Sequence, residues 1–369
     1  MRILMLVRRL SIGGTEKYIL TLSRNIISKG IPVGVAAKRG PLASSFKRAG
    51  ITVHYLSSRK KTLMNRVSTL SSIIAKGKYN AVHAHDSSSF LQAATLSSHT
   101  KVPLIASVHG IYHKRSTLLK VARTSNRLIA VSPRLKNWLV KLRIPAKKIR
   151  MIPNGIDTKI FHPASNKYKY KYRKALHLPR HAQIVVYAGR FSPDKYSIAK
   201  KVILAAKHVA ASSPNFIVVL YGPRSRQPRL LRLAAQVNRR LGRHVVWIRP
   251  PLTNIQHAYY AADVIVGTGR VALEAMGCGR PVVAAGIAGY CGIMRPRNIT
   301  RSIQCHFGDH GAFVPISVRR LSTDLKRILH HPAQARVLGK FGAATVKRKF
   351  SISKVGSRIS HIYREVTSL

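Results

Sequence analysis

The chain has 369 residues, 46% of them hydrophobic, with 24 Gly and 18 Pro, which allows two soluble α/β domains each with its own core. Lys and Arg number 66 against 9 Asp and Glu, a net charge of +57 that favours polyanions (nucleic acid, anionic lipid headgroups, anionic glycans) without choosing among them. No apolar run nears the roughly 18 residues of a membrane span, and Cys278, Cys291 and Cys305 lack Cys-x-x-Cys spacing, which argues against a disulfide framework or zinc site and for a reducing cytoplasm.

Met1 to Val7 is apolar but is cut short by Arg8 and Arg9, with no small-residue cleavage site behind it, so it reads as a first strand and not a signal peptide. Gly13-Gly14 follows, then a helix with Ile19, Leu22 and Ile26 on one face. A strand, a glycine turn and a helix start make an element suited to phosphate, although a lone Gly-Gly is common in tight turns. Apolar runs at 31–37, 53–56, 81–84, 104–108, 128–131 and 149–152 alternate with helical stretches, which predicts parallel strands and crossover helices.

Open α/β sheets place ligands beyond strand ends, and two of these ends carry histidines: His83-Ala84-His85-Asp86 and His109-Gly110. His-x-His is a possible metal pair, because alternate strand residues share a face. With so few carboxylates to complete a site, a cleft-lining or hydrogen-bonded core role is expected instead. Basic runs stand at Arg59-Lys60-Lys61, at 167–174 and at Lys347-Arg348-Lys349. The alternation Lys167-Tyr168-Lys169-Tyr170-Lys171-Tyr172-Arg173-Lys174 suits nucleic acid or lipid headgroups. It suits equally a solvated linker and first helical turn, the reading taken here.

A second series begins with the run 184–188, followed by Gly189-Arg190 and, five residues on, Lys195. Two cations could meet at that strand end, or the segment is simply a basic loop in a basic protein. Runs at 216–220 and 245–248 continue the alternation. The most informative stretch is 263–285. Val264 to Val266 is a β-branched run of the buried parallel kind, Gly267-Thr268-Gly269 opens a short helix, and Gly277 and Gly279 close it before Pro281 starts another strand. Glu274 lies one turn into that helix. It reads either as the partner of Arg270 in an i,i+4 ion pair or as a carboxylate receiving the vicinal hydroxyls of a ribose; spacing alone does not separate the two.

The run from Glu274 to Ala284 resembles the Glu-Ala-Met-Ala-x-Gly-x-Pro-Val-Val-Ala signature of the retaining glycosyltransferases of family 4, with Gly277 in place of the usual second Ala. The likeness is strongest from Gly189 to Ala285 and extends more loosely over nearly the whole chain. It implies the GT-B fold: α/β, with two Rossmann-like parallel-sheet domains facing a central cleft. The domains are expected at 1–165 and 166–350, with a C-terminal helix near 351–369 packing back on the first. The resemblance assigns His109, Arg190 and Lys195 to catalysis, the last two clamping a diphosphate. It assigns Gly13, Gly14, Gly267, Thr268, Gly269, Arg270 and Glu274 to the donor, with Glu274 on the ribose. One departure stands out: the family's second Glu, eight positions before Glu274, is replaced by Val266.

The expected activity is transfer of a sugar from a nucleotide-sugar donor to a glycan or lipid-linked acceptor in cell-surface polysaccharide biosynthesis. It needs no metal and no cofactor beyond the nucleotide-sugar, because cations and backbone dipoles carry the growing charge of the leaving diphosphate. The expected location is cytoplasmic, or peripheral on the inner, anionic face of a membrane, with nucleic acid bound only through nonspecific charge. The alternatives are a nucleotide-sugar epimerase of similar fold, which scarce carboxylates disfavour, and a polyanion-binding protein on a degenerate glycosyltransferase scaffold.

Overall fold

The computed structural model describes residues 1–57, 62–223 and 228–368. The basic run Arg59-Lys60-Lys61 lies outside the described residues. The chain divides into two compact units, Met1–Gly155 with Phe350–Leu369, and Ile156–Lys349. In chain order the first unit holds β1 (Ile3–Arg9), α1 (Gly14–Ile27), β2 (Val33–Lys38), α2 (Ala43–Arg48), β3 (Thr52–Tyr55), α3 (Leu63–Gly77), β4 (Ala81–Ala84), α4 (Ser87–Thr100), β5 (Leu104–Val108), α5 (Arg115–Thr124), β6 (Arg127–Ala130), α6 (Pro133–Lys141) and β7 (Ile149–Met151). The second holds α7 (Asn166–Ala175), β8 (Gln183–Ala188), α8 (Pro193–Ala210), β9 (Phe216–Tyr221), α9 (Pro228–Arg240), β10 (Val246–Arg249), α10 (Gln256–Ala261), β11 (Val264–Gly267), α11 (Gly269–Gly277), β12 (Val282–Gly286), β13 (Gly289–Ile293), α12 (Pro296–Gln304), α13 (Val318–His330) and α14 (Pro332–Lys349). The chain then returns to the first unit with α15 (Ile352–Thr367).

The first sheet runs β3-β2-β1-β4-β5-β6-β7, all parallel. Its central strands are buried along their whole length at β4 and β5, because helices cover both faces. On one face Ile19, Leu22 and Ile26 of α1 share a core with Ile3 and Met5 of β1 and with Val355, Ile359 and Ile362 of α15. The apolar spacing of α15 thus explains why the C-terminal helix belongs to the first unit.

The second sheet runs β10-β9-β8-β11-β12-β13. Five strands are parallel, and β13 adds an antiparallel edge through a turn after Gly286. Its core joins Val185, Val218, Val264 and Val266 to Val202 and Ala206 of α8 and to Leu321 and Leu325 of α13.

Two expectations change. The unit boundary falls at Gly155/Ile156 and not at 165/166, because the segment after Gly155 packs on the second unit. Tyr260 donates to the Ile160 carbonyl at 3.1 Å, and the Phe161 ring lies 6.4 Å from that of Tyr259. The basic, aromatic run at 167–174 is no solvated linker but the body of α7. Its Tyr172 ring stacks on Tyr260 and His257. Arg173, 2% exposed, donates to the carbonyls of Ala261, Arg180 and Ala182 and pairs with Asp263 at 2.8 Å. A guanidinium with that many fixed acceptors tolerates burial.

Candidate active site

Each sheet reverses its strand order once, and open α/β sheets leave a crevice at such a point, outside the carboxyl ends of the strands. In the second unit β8, β9 and β10 are laid down outward, and β11 then returns to the other side of β8. Tyr187 pairs with Val266, so the connections at 189–192 and 267–269 leave the sheet side by side. The first carries Arg190 and leads into α8, with Lys195 in its opening turn. The second opens α11, which carries Arg270 and Glu274. The geometry therefore brings together Arg190, Lys195, Gly267, Thr268, Gly269, Arg270 and Glu274, while Gly13, Gly14 and His109 belong to the first unit.

No side chain caps the start of α11. The Thr268 hydroxyl turns away to donate to the Phe307 carbonyl at 2.8 Å. The helix dipole puts partial positive charge at this end, and Asp309 and His306 stand beside it. Gly269 is required here: its φ of +51 is left-handed, and a Cβ would meet Asp309 Oδ2 at 2.9 Å and His306 Cε1 at 3.0 Å. Arg190 is exposed. Lys195 Nζ stands 3.9 Å from Asp309 Oδ1.

Glu274 is buried, with its side chain 4% exposed. Arg270 Nε donates to its Oε1 at 2.7 Å, and the Tyr259 hydroxyl donates to its Oε2 at 3.2 Å. Burial and the adjacent carboxylate push the Tyr259 hydroxyl far above its ordinary range, which keeps it a donor. The ion pair foreseen from spacing is thus present, and each carboxylate oxygen retains a further lone pair. Val266 faces the core from β11, fully buried. Only Thr268 separates β11 from α11, which leaves Val266 inside the strand.

Sequence reasoning assigned no role to His306 or Asp309, which the chain brings from beyond α12 to the start of α11. Backbone strain marks the same place. Among the described residues seven non-glycine positions have positive φ. Lys78, Lys101, Arg143 and His177 follow helices, where that conformation is ordinary. His306 likewise follows α12, whereas Phe191 and Phe307 do not follow helix ends: the first adjoins Arg190, and the second adjoins His306, which presses on Gly269. Such conformations persist where surrounding structure over-determines them, commonly at functional sites.

In the first unit the reversal lies between β1 and β4. Gly13 precedes α1 in extended conformation, and a Cβ on it would meet Glu16 Oε2, whose side chain folds back over the helix start. Beside it, His83, His85 and His109 form a buried stack. His83 Nδ1 meets the Tyr363 hydroxyl at 2.7 Å and its Nε2 meets Ser107 Oγ at 2.8 Å. The His83 and His85 rings lie 4.1 Å apart, and His85 Nδ1 is 3.2 Å from His109 Nε2. Tyr18 of α1 sets its edge on His109 at 5.4 Å, joining His109 to the helix that Gly13-Gly14 opens. Burial, with neighbouring histidines adding to it, lowers His83 to about 3 and His85 well below the usual imidazole value. These rings stack and do not converge on a point, and among the described residues no group of three His, Cys, Asp or Glu is placed to hold a metal. Cys278, Cys291 and Cys305 are buried and form no disulfide among the described residues. No described helix is long and apolar enough to cross a membrane.

Two Rossmann-like α/β units, each a largely parallel sheet flanked by helices, define the GT-B architecture. The fold matches that of Anabaena Alr3699/HepE, solved in complex with UDP and glucose, with a TM-score of 0.80 over 99% of this chain and 100% of that one at 19% identity. It matches a sucrose-phosphate synthase from Thermosynechococcus elongatus equally, with a TM-score of 0.80 over 100% of this chain and 99% of that one at 22% identity. In sequence, residues 12–160 match Glycosyltransferase Family 4 and residues 169–344 match Glycosyl transferases group 1. The chain belongs to this family of glycosyltransferases, which sets the epimerase alternative aside. Among its relatives is a D-inositol 3-phosphate glycosyltransferase from Thermobispora bispora, 24% identical over 400 residues, covering 96% of this chain and 90% of that protein.

Proposed function

We propose that the protein is a retaining, metal-independent hexosyltransferase that moves a sugar from a nucleoside-diphosphate sugar to a glycan or lipid-linked acceptor in cell-surface polysaccharide assembly. The observation that carries this reading is the pairing of the Arg190–Lys195 connection with the start of α11 at one strand reversal. As the bond from the anomeric carbon to the diphosphate opens, negative charge grows on the leaving oxygen. Arg190, Lys195 and the α11 dipole are preorganised for that charge. The acceptor oxygen bonds to the anomeric carbon on the face the diphosphate leaves, and its proton passes to the leaving phosphate. Configuration is retained, and no protein carboxylate enters the step. Glu274 receives the ribose hydroxyls on the lone pairs that Arg270 and Tyr259 leave.

The acceptor side is read from the first unit. Ile12 after β1 and Ile111 and Tyr112 after β5 are exposed at the carboxyl edge of its sheet, Tyr112 by 64%. Such apolar side chains suit the lipid portion of an acceptor, and the +57 charge suits its phosphate and an anionic membrane surface on the cytoplasmic side. The Thermobispora relative is named for a phosphorylated acceptor, which agrees with an anionic one here.

Calorimetric titration with UDP, the nucleotide of the Anabaena complex, and with other nucleoside diphosphates tests the donor site. Binding that is lost in Lys195→Ala and persists in excess EDTA is expected. Failure of every nucleoside diphosphate to bind would remove the donor site from the second unit.

A further inference from the structure

The buried histidines of the first unit carry an inference about ring chemistry that rests on the reading of His109 as a substrate contact. His85 makes two contacts through its ring nitrogens: Nε2 to the Met5 sulfur at 3.5 Å and Nδ1 to His109 Nε2 at 3.2 Å. A thioether sulfur accepts hydrogen bonds and cannot donate them. The hydrogen of neutral His85 therefore sits on Nε2, because a bare Nε2 would set its lone pair against the sulfur's. Nδ1 of His85 is then bare and accepts, so the hydrogen between the rings belongs to His109 Nε2. His109 is left with a bare Nδ1.

We propose that His85 is a positioning residue that fixes His109 as its Nε2–H tautomer, so that His109 offers substrate a lone pair at Nδ1 and never a proton.

The surroundings support this assignment. His85 is held from the other face by the His83 ring at 4.1 Å, and His83 is itself fixed at both nitrogens by Tyr363 and Ser107. Tyr18 packs in a T-shaped arrangement against both His85 and His109. Burial of His85 opposes its protonation, so it stays an acceptor. The consequence is a division of labour within the proposed reaction. His109 orients a sugar hydroxyl by accepting its hydrogen bond, and proton transfer is left to the departing phosphate.

Long-range nitrogen–proton correlation spectra of the whole protein, with His109 and His85 assigned through single variants, read the tautomers directly. Protonated Nε2 and bare Nδ1 are expected on both rings; a protonated Nδ1 on His109 in the unaltered chain would overturn the proposal. Two substitutions extend the test. His85→Phe keeps a ring but removes the acceptor, so His109 should become a mixture of tautomers. Its kcat should fall roughly fivefold to tenfold, the worth of one hydrogen bond, with little change in the donor KM. His85→Asn carries its Oδ1 where Nδ1 stood and should restore both. Equal loss in the two variants would reduce His85 to packing and overturn the positioning role, as would unchanged turnover in His85→Phe. Should the unaltered chain show no transfer with any donor, the reading of the reaction fails, and the ring spectra still decide the tautomer.

Discussion

The two sheets end in edges of the same topology but different chemistry. In the second unit the edge collects exposed or half-exposed cations, an uncapped helix start and left-handed backbone at Phe191, His306 and Phe307. In the first the edge is filled by packed rings, His83, His85, His109 and Tyr18, with His83 held by Tyr363 and Ser107. A strand reversal thus provides a place for a ligand but does not decide what kind. In the proposed reaction, charge handling falls to the loop residues of one unit and orientation to the packed rings of the other.

The comparison can be broken most strongly at the charged edge. Arg190→Ala and Lys195→Ala should each lower turnover by on the order of 10²–10³, the usual cost of losing one preorganised donor to a developing anion. Steady-state kinetics check this, and a change below tenfold in both would leave the edge without its catalytic charge. Next comes Arg173→Met, which strips Asp263 of its buried partner. Because Lys169 still reaches the carboxylate, stability should fall by about 3 kcal/mol, at the low end for a broken buried pair; urea unfolding measures it. Gly269→Ala forces a side chain into left-handed backbone against Asp309, which should cost about 1–2 kcal/mol and weaken nucleotide binding beside it, as calorimetry would show.

The last effect is slight near neutral pH and grows as acid is added, and it sharpens the other edge. His83, at about 3, and His113, at about 4, stay neutral in the folded first unit because burial disfavours their charged forms, whereas in the unfolded chain they titrate near 6.5. Between those values the unfolded state binds more protons. Stability is therefore complete above about pH 6.5 and declines as pH falls toward 4, by about 1.4 kcal/mol per pH unit for each histidine. The chain has two tryptophans, and they divide conveniently: Trp138 lies in the first unit and Trp247 in the second. Fluorescence of single-tryptophan variants should show the Trp138 transition moving with acid more than the Trp247 one. Identical shifts would mean that the buried histidines do not set the difference.

Much of the architecture was legible because parallel strands buried on both faces leave β-branched runs, and Gly13-Gly14 and Gly267-Thr268-Gly269 mark where helices start. The extent of α7 was missed because period-two Lys-Tyr spacing hides a helix: Tyr168, Lys169, Tyr172 and Arg173 turn toward Tyr260 and Asp263, and the burial of Arg173 depends on Asp263, far along the chain. The antiparallel β13 was invisible for a related reason, since its short Gly-Tyr-Cys-Gly-Ile run carries no alternation. Asp309 and His306 escaped notice because nothing local ties them to α11. Their place is fixed by left-handed aromatic and imidazole residues that no propensity would suggest. The Glu274 ion pair followed from spacing, but its burial and its bond to Tyr259 required the packed α10.

Eight of the nine carboxylates of the chain have a contact that fixes them, and the ninth, Asp194, sits at a helix start. Asp86 caps α4, Asp157 holds the Lys159 amide, and Asp194 lies in the first turn of α8. Glu16 folds over Gly13, Asp324 accepts from Tyr290, and Glu365 pairs with Arg127. Asp263, Glu274 and Asp309 serve as described above. None is left over to neutralise the outer surface, so the balancing charge must be drawn from the buffer. The protein in solution is therefore a particle dressed in a layer of small anions. Its melting temperature should depend on which anion is supplied at constant ionic strength, and a nucleotide arriving at α11 must first displace part of that layer.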